Sequence, residues 1–122
     1  MATPKVLIIE DHPATAQFIS EVMGMEGICA AIAPDGQVGI EKAREEKPDI
    51  ILLDVMLPGP DGFEVCKRLK ENPETCNIPV VIVSVRGSEE DRKKAFEAGC
   101  ADYIVKPFEI QDLIKAIRKH LI

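Results

Sequence analysis

Three short stretches of the chain are apolar without a break: VLII from Val6, IILL from Ile50 and VVIV from Val80. An unbroken run, as opposed to an alternating one, is the pattern of a parallel strand covered on both faces. Two weaker runs, ICAAIA from Ile28 and ADYIV from Ala101, bring the set to five. Between the runs lie helix-length stretches with apolar residues at helical spacing. The clearest is the last, where Ile110, Leu113, Ile114, Ile117 and Leu121 make one stripe that reads as core. Ser88 followed by Glu89, Glu90 and Asp91 supplies a cap and a first turn of acids, and Gly99 stops that helix. The rhythm predicts (βα)5, an α/β fold with a five-stranded parallel sheet between two layers of helices.

Right-handed crossovers wind such a sheet twice and place its ligand site beyond the carboxyl ends of the strands. Glu10 and Asp11 follow the first run directly, and Asp54 closes the third. A carboxylate pair is commonly just a solvated loop. If the first and third strands are neighbours, however, they lie roughly 5 Å apart and three carboxylates converge. Such a cluster either takes up protons or holds a divalent cation, and an all-oxygen ligand set favours magnesium. Ser84 closes VVIVS with a hydroxyl, and Lys106 follows the fifth run with a positive charge. Each alone reads as a turn residue or a solvated charge. Together, a carboxylate nucleophile, a cation, a hydroxyl and an ammonium are what transfer of a phosphoryl group to Asp54 requires.

Four motifs in this order resemble the receiver domain of two-component response regulators. They are the pair Glu10 and Asp11, the block DVMLPGPDG from Asp54 to Gly62, Ser84, and Lys106 and Pro107 followed by Phe108. The likeness runs over essentially the whole chain, so residues 1–122 are expected to form one receiver domain. It implies the flavodoxin-like strand order 2-1-3-4-5. It also implies that Asp54 accepts a phosphoryl group from the phosphohistidine of a sensor histidine kinase or phosphotransfer protein. Asp11, Asp54 and the backbone carbonyl of Met56 would ligate Mg2+, with Glu10 assisting through water. Lys106 would pair with the phosphoryl group, and its bond to Pro107 would be cis. Ser84, Tyr103 and Pro107 would form the switch. In the family the aromatic at the position of Tyr103 turns inward on phosphorylation and remodels the face of the fourth helix, fifth strand and fifth helix. Arg92, Lys93, Ala95, Phe96, Lys106, Lys115, Arg118 and Lys119 are expected on or near that face, which suits a partner with an acidic rim and an apolar centre, or a homodimer.

Composition narrows the alternatives. The net charge of −6 opposes direct nucleic-acid binding, and no apolar run approaches the roughly 18 residues of a membrane span, so a cytoplasmic address is expected. Cys29, Cys66, Cys76 and Cys100 form no CxxC pair and read as reduced, partly buried thiols. An aspartyl-phosphate hydrolase of the haloacid dehalogenase type would need an acid two residues after the nucleophile, where this chain has Met56. The acyl phosphate should therefore persist, as in a signalling module and not a turnover enzyme. A flavin carrier is opposed by the acidic stretch EDHPATAQ and by an aromatic content of 4% without Trp. A degenerate receiver acting as a constitutive interaction module is the third alternative.

Other residues read as structural. His12 is a loop or helix-start residue, Pro58, Gly59, Pro60 and Gly62 shape a turn, and Met23 and Met25 pack with Phe18 and Val22. Two positions depart from the family pattern. Val85 stands where a small residue is usual and narrows access to the pocket, and Glu10 replaces the more frequent Asp. The chain ends after its fifth helix, which fits a stand-alone receiver or one drawn from a longer protein.

Overall fold

The computed structural model describes residues 3–57 and 59–121. The turn role read for Pro58 lies outside the described residues. Five strands and five helices alternate: β1 (Lys5–Ile9), α1 (Pro13–Met25), β2 (Cys29–Ala33), α2 (Gly36–Glu46), β3 (Ile50–Asp54), α3 (Gly62–Glu71), β4 (Val80–Ser84), α4 (Glu89–Glu97), β5 (Asp102–Val105) and α5 (Ile110–Lys119). All strands run parallel in the order β2-β1-β3-β4-β5, the flavodoxin-like order that the resemblance implied.

The contrast between unbroken and weaker runs has a simple cause. The interior strands β3 and β4 are buried along their whole length, and β1 over four of its five residues. β2 and β5 are the sheet edges and are only partly covered. Along each interior strand alternate residues face opposite helical layers. Leu7, Ile9, Ile51, Leu53, Val80 and Ile82 pack with Ala43 of α2, Phe63, Val65 and Leu69 of α3, and Ala95 of α4. Val6, Ile8, Ile50, Leu52, Val81 and Val83 pack with Ala16, Ile19 and Met23 of α1 and with Leu113 and Ile117 of α5. The final stripe is core as expected, Leu113 and Ile117 fully buried and Ile110, Ile114 and Leu121 packed at its margin.

Helix punctuation also follows the sequence. Ser88 caps α4, its Oγ accepting from Asp91 N–H, and beyond the end of that helix Gly99 sits at φ +102°, where a side chain would be strained. α1 begins with Pro13 in its first turn, after His12.

Some surface positions differ from the sequence reading. Met23 is fully buried, but Met25 and Phe18 face solvent, because the helix ends just past Met25 and its apolar stripe does not include Phe18. Ala95 points into the core and not onto the α4 surface. Arg118 turns toward the end of α1, where its Nη2 lies 2.7 Å from Glu26 Oε1. The four cysteines are free; Cys66 and Cys100 are buried, which pushes their thiols up to about 11 and about 12, while Cys29 is exposed on the edge strand.

Candidate functional site

Sheet register assembles the site. Ile9 of β1 stands opposite Leu53 of β3, so Glu10 and Asp11 emerge beside Asp54. Asp54 pairs with Val83, which puts Ser84 one residue further along the neighbouring strand. Ser84 in turn stands opposite Val105, and its carbonyl accepts the N–H of Lys106 at 2.8 Å. Residues remote in sequence thus meet at the carboxyl edge of β1, β3, β4 and β5.

Glu10, Asp11, His12 and Asp54 each bring a potential ligand atom within 4.8 Å of the others. Glu10 and Asp54 are buried, whereas Asp11 is partly exposed. His12 Nδ1 lies 3.2 Å from Asp11 Oδ1 and 3.5 Å from Glu10 Oε1, yet its ring is largely in solvent at the start of α1. It is a helix-start residue, as the sequence suggested.

The two buried carboxyls respond in opposite directions. Desolvation, helped by the neighbouring Asp54 charge, pushes Glu10 up to about 8. Burial would raise Asp54 as well, but contacts from Glu10, the Met56 N–H and Lys106 outweigh it and hold Asp54 below the usual carboxylate range. Among the described residues neither oxygen of Glu10 accepts a well-formed hydrogen bond. A proton on Glu10 turns its contact with Asp54 into a hydrogen bond, so the pair holds one proton more readily than none.

Asp54 is fixed from both sides. Its Oδ1 accepts the Met56 N–H at 2.9 Å, and its Oδ2 faces Lys106 Nζ at 3.3 Å. The Lys106–Pro107 bond is cis. Ser84 is fully buried, and its Oγ accepts the Arg86 N–H at 3.0 Å. Its own hydroxyl proton stays available to a group bound in the pocket. Val85 is well exposed and lines a hollow with Thr15, Phe18, Ile19, Lys106, Pro107 and Phe108, which shares Thr15, Ile19 and Lys106 with the pocket that holds Glu10 and Asp54.

A divalent cation fits this arrangement on the structure's own terms. Among the described residues no well-formed hydrogen bond reaches either oxygen of Glu10 or Oδ1 of Asp11, all of them buried, and such anionic oxygens are costly unless a proton or a cation answers them. Among the described residues no hydrogen bond engages the Met56 carbonyl.

Tyr103, expected as the switch aromatic, lies at the centre of β5 and faces inward in this structure. Its ring is already buried, its hydroxyl donates to the Arg86 carbonyl, and the Arg92 guanidinium covers it 5.4 Å from the ring centre. Arg86 itself escaped the sequence reading. An exposed arginine in a short loop carries no periodic signal, and its role shows only in its contacts.

Comparison with known proteins agrees with this geometry. A family model described as the response regulator receiver domain matches residues 6–118. The chain is 38% identical over 115 residues to the DNA-binding dual master transcriptional regulator RpaA of Synechocystis, covering 94% of this chain and 48% of that protein. It spans a quarter to about half of the length of the curated relatives it matches. Among solved structures, a putative response regulator from Chloroflexus aurantiacus superimposes with a TM-score of 0.93 at 31% identity, over 98% of each chain. A BeF3-activated receiver domain of RstA from Klebsiella pneumoniae gives 0.89 at 32% identity, over 96% of this chain and 97% of that one. Receiver domains are signalling modules that bind Mg2+ at an acidic pocket, and they work with histidine kinases and output domains. With its strand order, its acidic pocket at the strand ends and a family match over most of its length, the chain belongs to the response regulator receiver domains of two-component systems.

Proposed function

We propose that residues 1–122 act as one receiver module whose Asp54 accepts a phosphoryl group from the phosphohistidine of a sensor histidine kinase or phosphotransfer protein. The observation that carries this reading is the state of Asp54: buried, held anionic, and facing Lys106 at 3.3 Å beside acidic oxygens that no well-formed hydrogen bond reaches among the described residues. Asp11, Asp54 and the Met56 carbonyl would hold Mg2+, with Glu10 reaching it through water. When bound, the ion would neutralise charge on the transferring oxygens. A carboxylate oxygen of Asp54 forms the new bond to phosphorus while the P–N bond to the donor imidazole breaks, and the imidazole departs with that electron pair and takes up a proton. Lys106 offsets the negative charge gathered on the equatorial oxygens, and the Ser84 hydroxyl donates to one of them.

Nothing resembling an acid–base group stands two residues after Asp54. Met56 is apolar and half exposed there, which supports a persistent acyl phosphate and a signalling role over turnover. Output would pass through the surface of α4, β5 and α5, where exposed Arg92, Lys93, Phe96, Lys115 and Lys119 suit a partner with an acidic rim or a second copy of the chain. The test is incubation with a small acyl phosphate and magnesium, followed by intact mass. One added phosphoryl group, removed by hydroxylamine and mapped to Asp54, is the expected result. A chain that gains no mass, or gains it elsewhere, overturns the reading.

A further inference from the structure

We propose that Arg86 is a positioning residue: its guanidinium, held by Asp91 and Phe63, anchors the loop between β4 and α4 that runs between the two switch residues of the family, Ser84 and Tyr103. Both backbone groups of Arg86 are committed to side chains of the site. Its N–H donates to Ser84 Oγ at 3.0 Å, and its carbonyl accepts from Tyr103 Oη. The loop that presents them, residues 85–88, is exposed throughout and contains Gly87, so packing alone does not fix it.

The side chain of Arg86 supplies the anchor. Its Nη2 lies 2.7 Å from Asp91 Oδ1, and its guanidinium carbon sits 5.6 Å from the centre of the Phe63 ring. Asp91 is a rigid partner because its other oxygen accepts the Ser88 hydroxyl at 2.7 Å, within the cap of α4. Phe63 is buried in the first turn of α3, which begins just past the loop that follows Asp54. The clamp therefore joins the starts of α3 and α4 above the pocket. α4 needs such a tie, since Ala95 is its one buried residue. A planar guanidinium suits the position better than an ammonium, because it can face a carboxylate and lie against an aromatic ring at once.

The consequence for Ser84 is directional. With one lone pair engaged by the Arg86 N–H, the hydroxyl keeps its proton for a group in the pocket. A shift of Ser84 toward such a group pulls on Arg86, and through it on Tyr103 and the first turn of α4. That link rests on the reading of Asp54 as phosphoacceptor; the clamp itself does not.

The sequence offers a direct readout, since Tyr103 is the chain's one tyrosine and there is no tryptophan. In the unliganded protein, Arg86→Ala should change the tyrosine emission and speed amide exchange in α4 by roughly threefold or more, as expected for loss of a partly exposed ion pair that anchors a weakly packed helix. Arg86→Lys should restore part of both. Asp91→Asn leaves every backbone contact of Arg86 in place, should move both signals the same way, and decides the matter if Arg86→Ala does not fold. With magnesium and beryllofluoride, whose adduct is followed by fluorine NMR, the wild type should show a further change in both signals, and Arg86→Ala should lose most of it while still forming the adduct. Wild-type emission and exchange in Arg86→Ala and Asp91→Asn would overturn the clamp, and an undiminished adduct response in Arg86→Ala would overturn the link. Failure of the wild type to form any adduct would count against Asp54 as acceptor, with the clamp still decided by the unliganded measurements.

Discussion

Lys106 Nζ faces Asp54 Oδ2 across the end of β4, at 3.3 Å and with both side chains largely shielded from water. Burial alone would favour the proton on Asp54, but the contact from Glu10, the Met56 N–H and this ammonium together keep the carboxylate charged, hence nucleophilic. The same ammonium is positioned to meet charge that collects on a transferring phosphoryl group.

Substitution at Asp54 separates the acceptor from its surroundings. Asp54→Asn should abolish the hydroxylamine-labile adduct, because an amide oxygen is not a competent nucleophile. Lys106→Met should leave Asp54 modifiable but slow the reaction by roughly 100- to 1,000-fold, the range seen when one preorganised charge-stabilising group is lost. Intact mass and peptide mapping over a time course check both, and a normal rate in Lys106→Met would remove the lysine from the chemistry.

Stability of the metal-free chain should fall as pH rises from about 4.5 toward about 8, the interval between the ordinary value of Glu10 and the value to which burial raises it. In that window the folded chain holds a proton on Glu10 that the unfolded chain has released, so raising the pH favours unfolding, by on the order of a few kcal/mol in all. Asp54 does not oppose this, since its value lies below the ordinary carboxylate range and its own contribution changes only at lower pH. Denaturant titrations across pH 5 to 8 should show the decline, and Glu10→Gln or saturating magnesium should flatten it. A slope that survives Glu10→Gln would place the titration elsewhere.

Much of this site is legible in the sequence, and the reason is the fold. In a parallel sheet the strand ends share one edge, so run boundaries place Glu10, Asp11, Asp54, Ser84 and Lys106 along it, while the strand order that makes them neighbours comes with the family resemblance. What escapes depends on contacts that leave no periodic mark. Tyr103 can be assigned to β5, but the bond from its hydroxyl to the Arg86 carbonyl, 17 residues away, cannot be read from the run. Ala95 and Arg118 were expected near one surface, yet helix rotation turns the first into the core and the second toward Glu26.

Gly62 illustrates how the loop after Asp54 is constrained. Sequence alone suggested turn chemistry, but a Cβ there would lie 2.5 Å from Val55 Cα and 2.6 Å from the Asp54 carbonyl oxygen. Both are backbone atoms and cannot swing aside, so α3 itself would have to move. Gly62→Ala should therefore destabilise the fold by about 1–3 kcal/mol and slow modification of Asp54. Gly24 in α1 is the contrast, since a Cβ added there would meet nothing within 4 Å. Gly24→Ala should instead stabilise by up to about 1 kcal/mol, through helix propensity. Paired urea titrations check the opposite signs, and equal effects would mean that close backbone approach is not what Gly62 provides.

Val85 bears on how donors reach the pocket. Its side chain is 64% exposed and stands at the rim of the hollow shared with Phe18, Lys106 and Phe108. Truncation there removes bulk from the entrance without touching a carboxylate, the Ser84 hydroxyl or the Arg86 clamp. Because an exposed position has little packing to lose, Val85→Ala should shift stability by no more than about 0.5 kcal/mol. Its effect should fall on access instead. Phosphorylation by a small acyl phosphate should accelerate, and so should loss of the phosphoryl group to water, since both reagents pass the same rim. A protein donor behaves differently if it packs against the hollow, because Val85 then contributes apolar contact as well as obstruction. The informative quantity is thus the ratio of rates with small and protein donors in wild type and Val85→Ala. A higher small-donor rate with a lower protein-donor rate identifies Val85 as part of the docking surface. Acceleration with both donors identifies a purely steric gate, and unchanged rates with both exclude any role at the entrance.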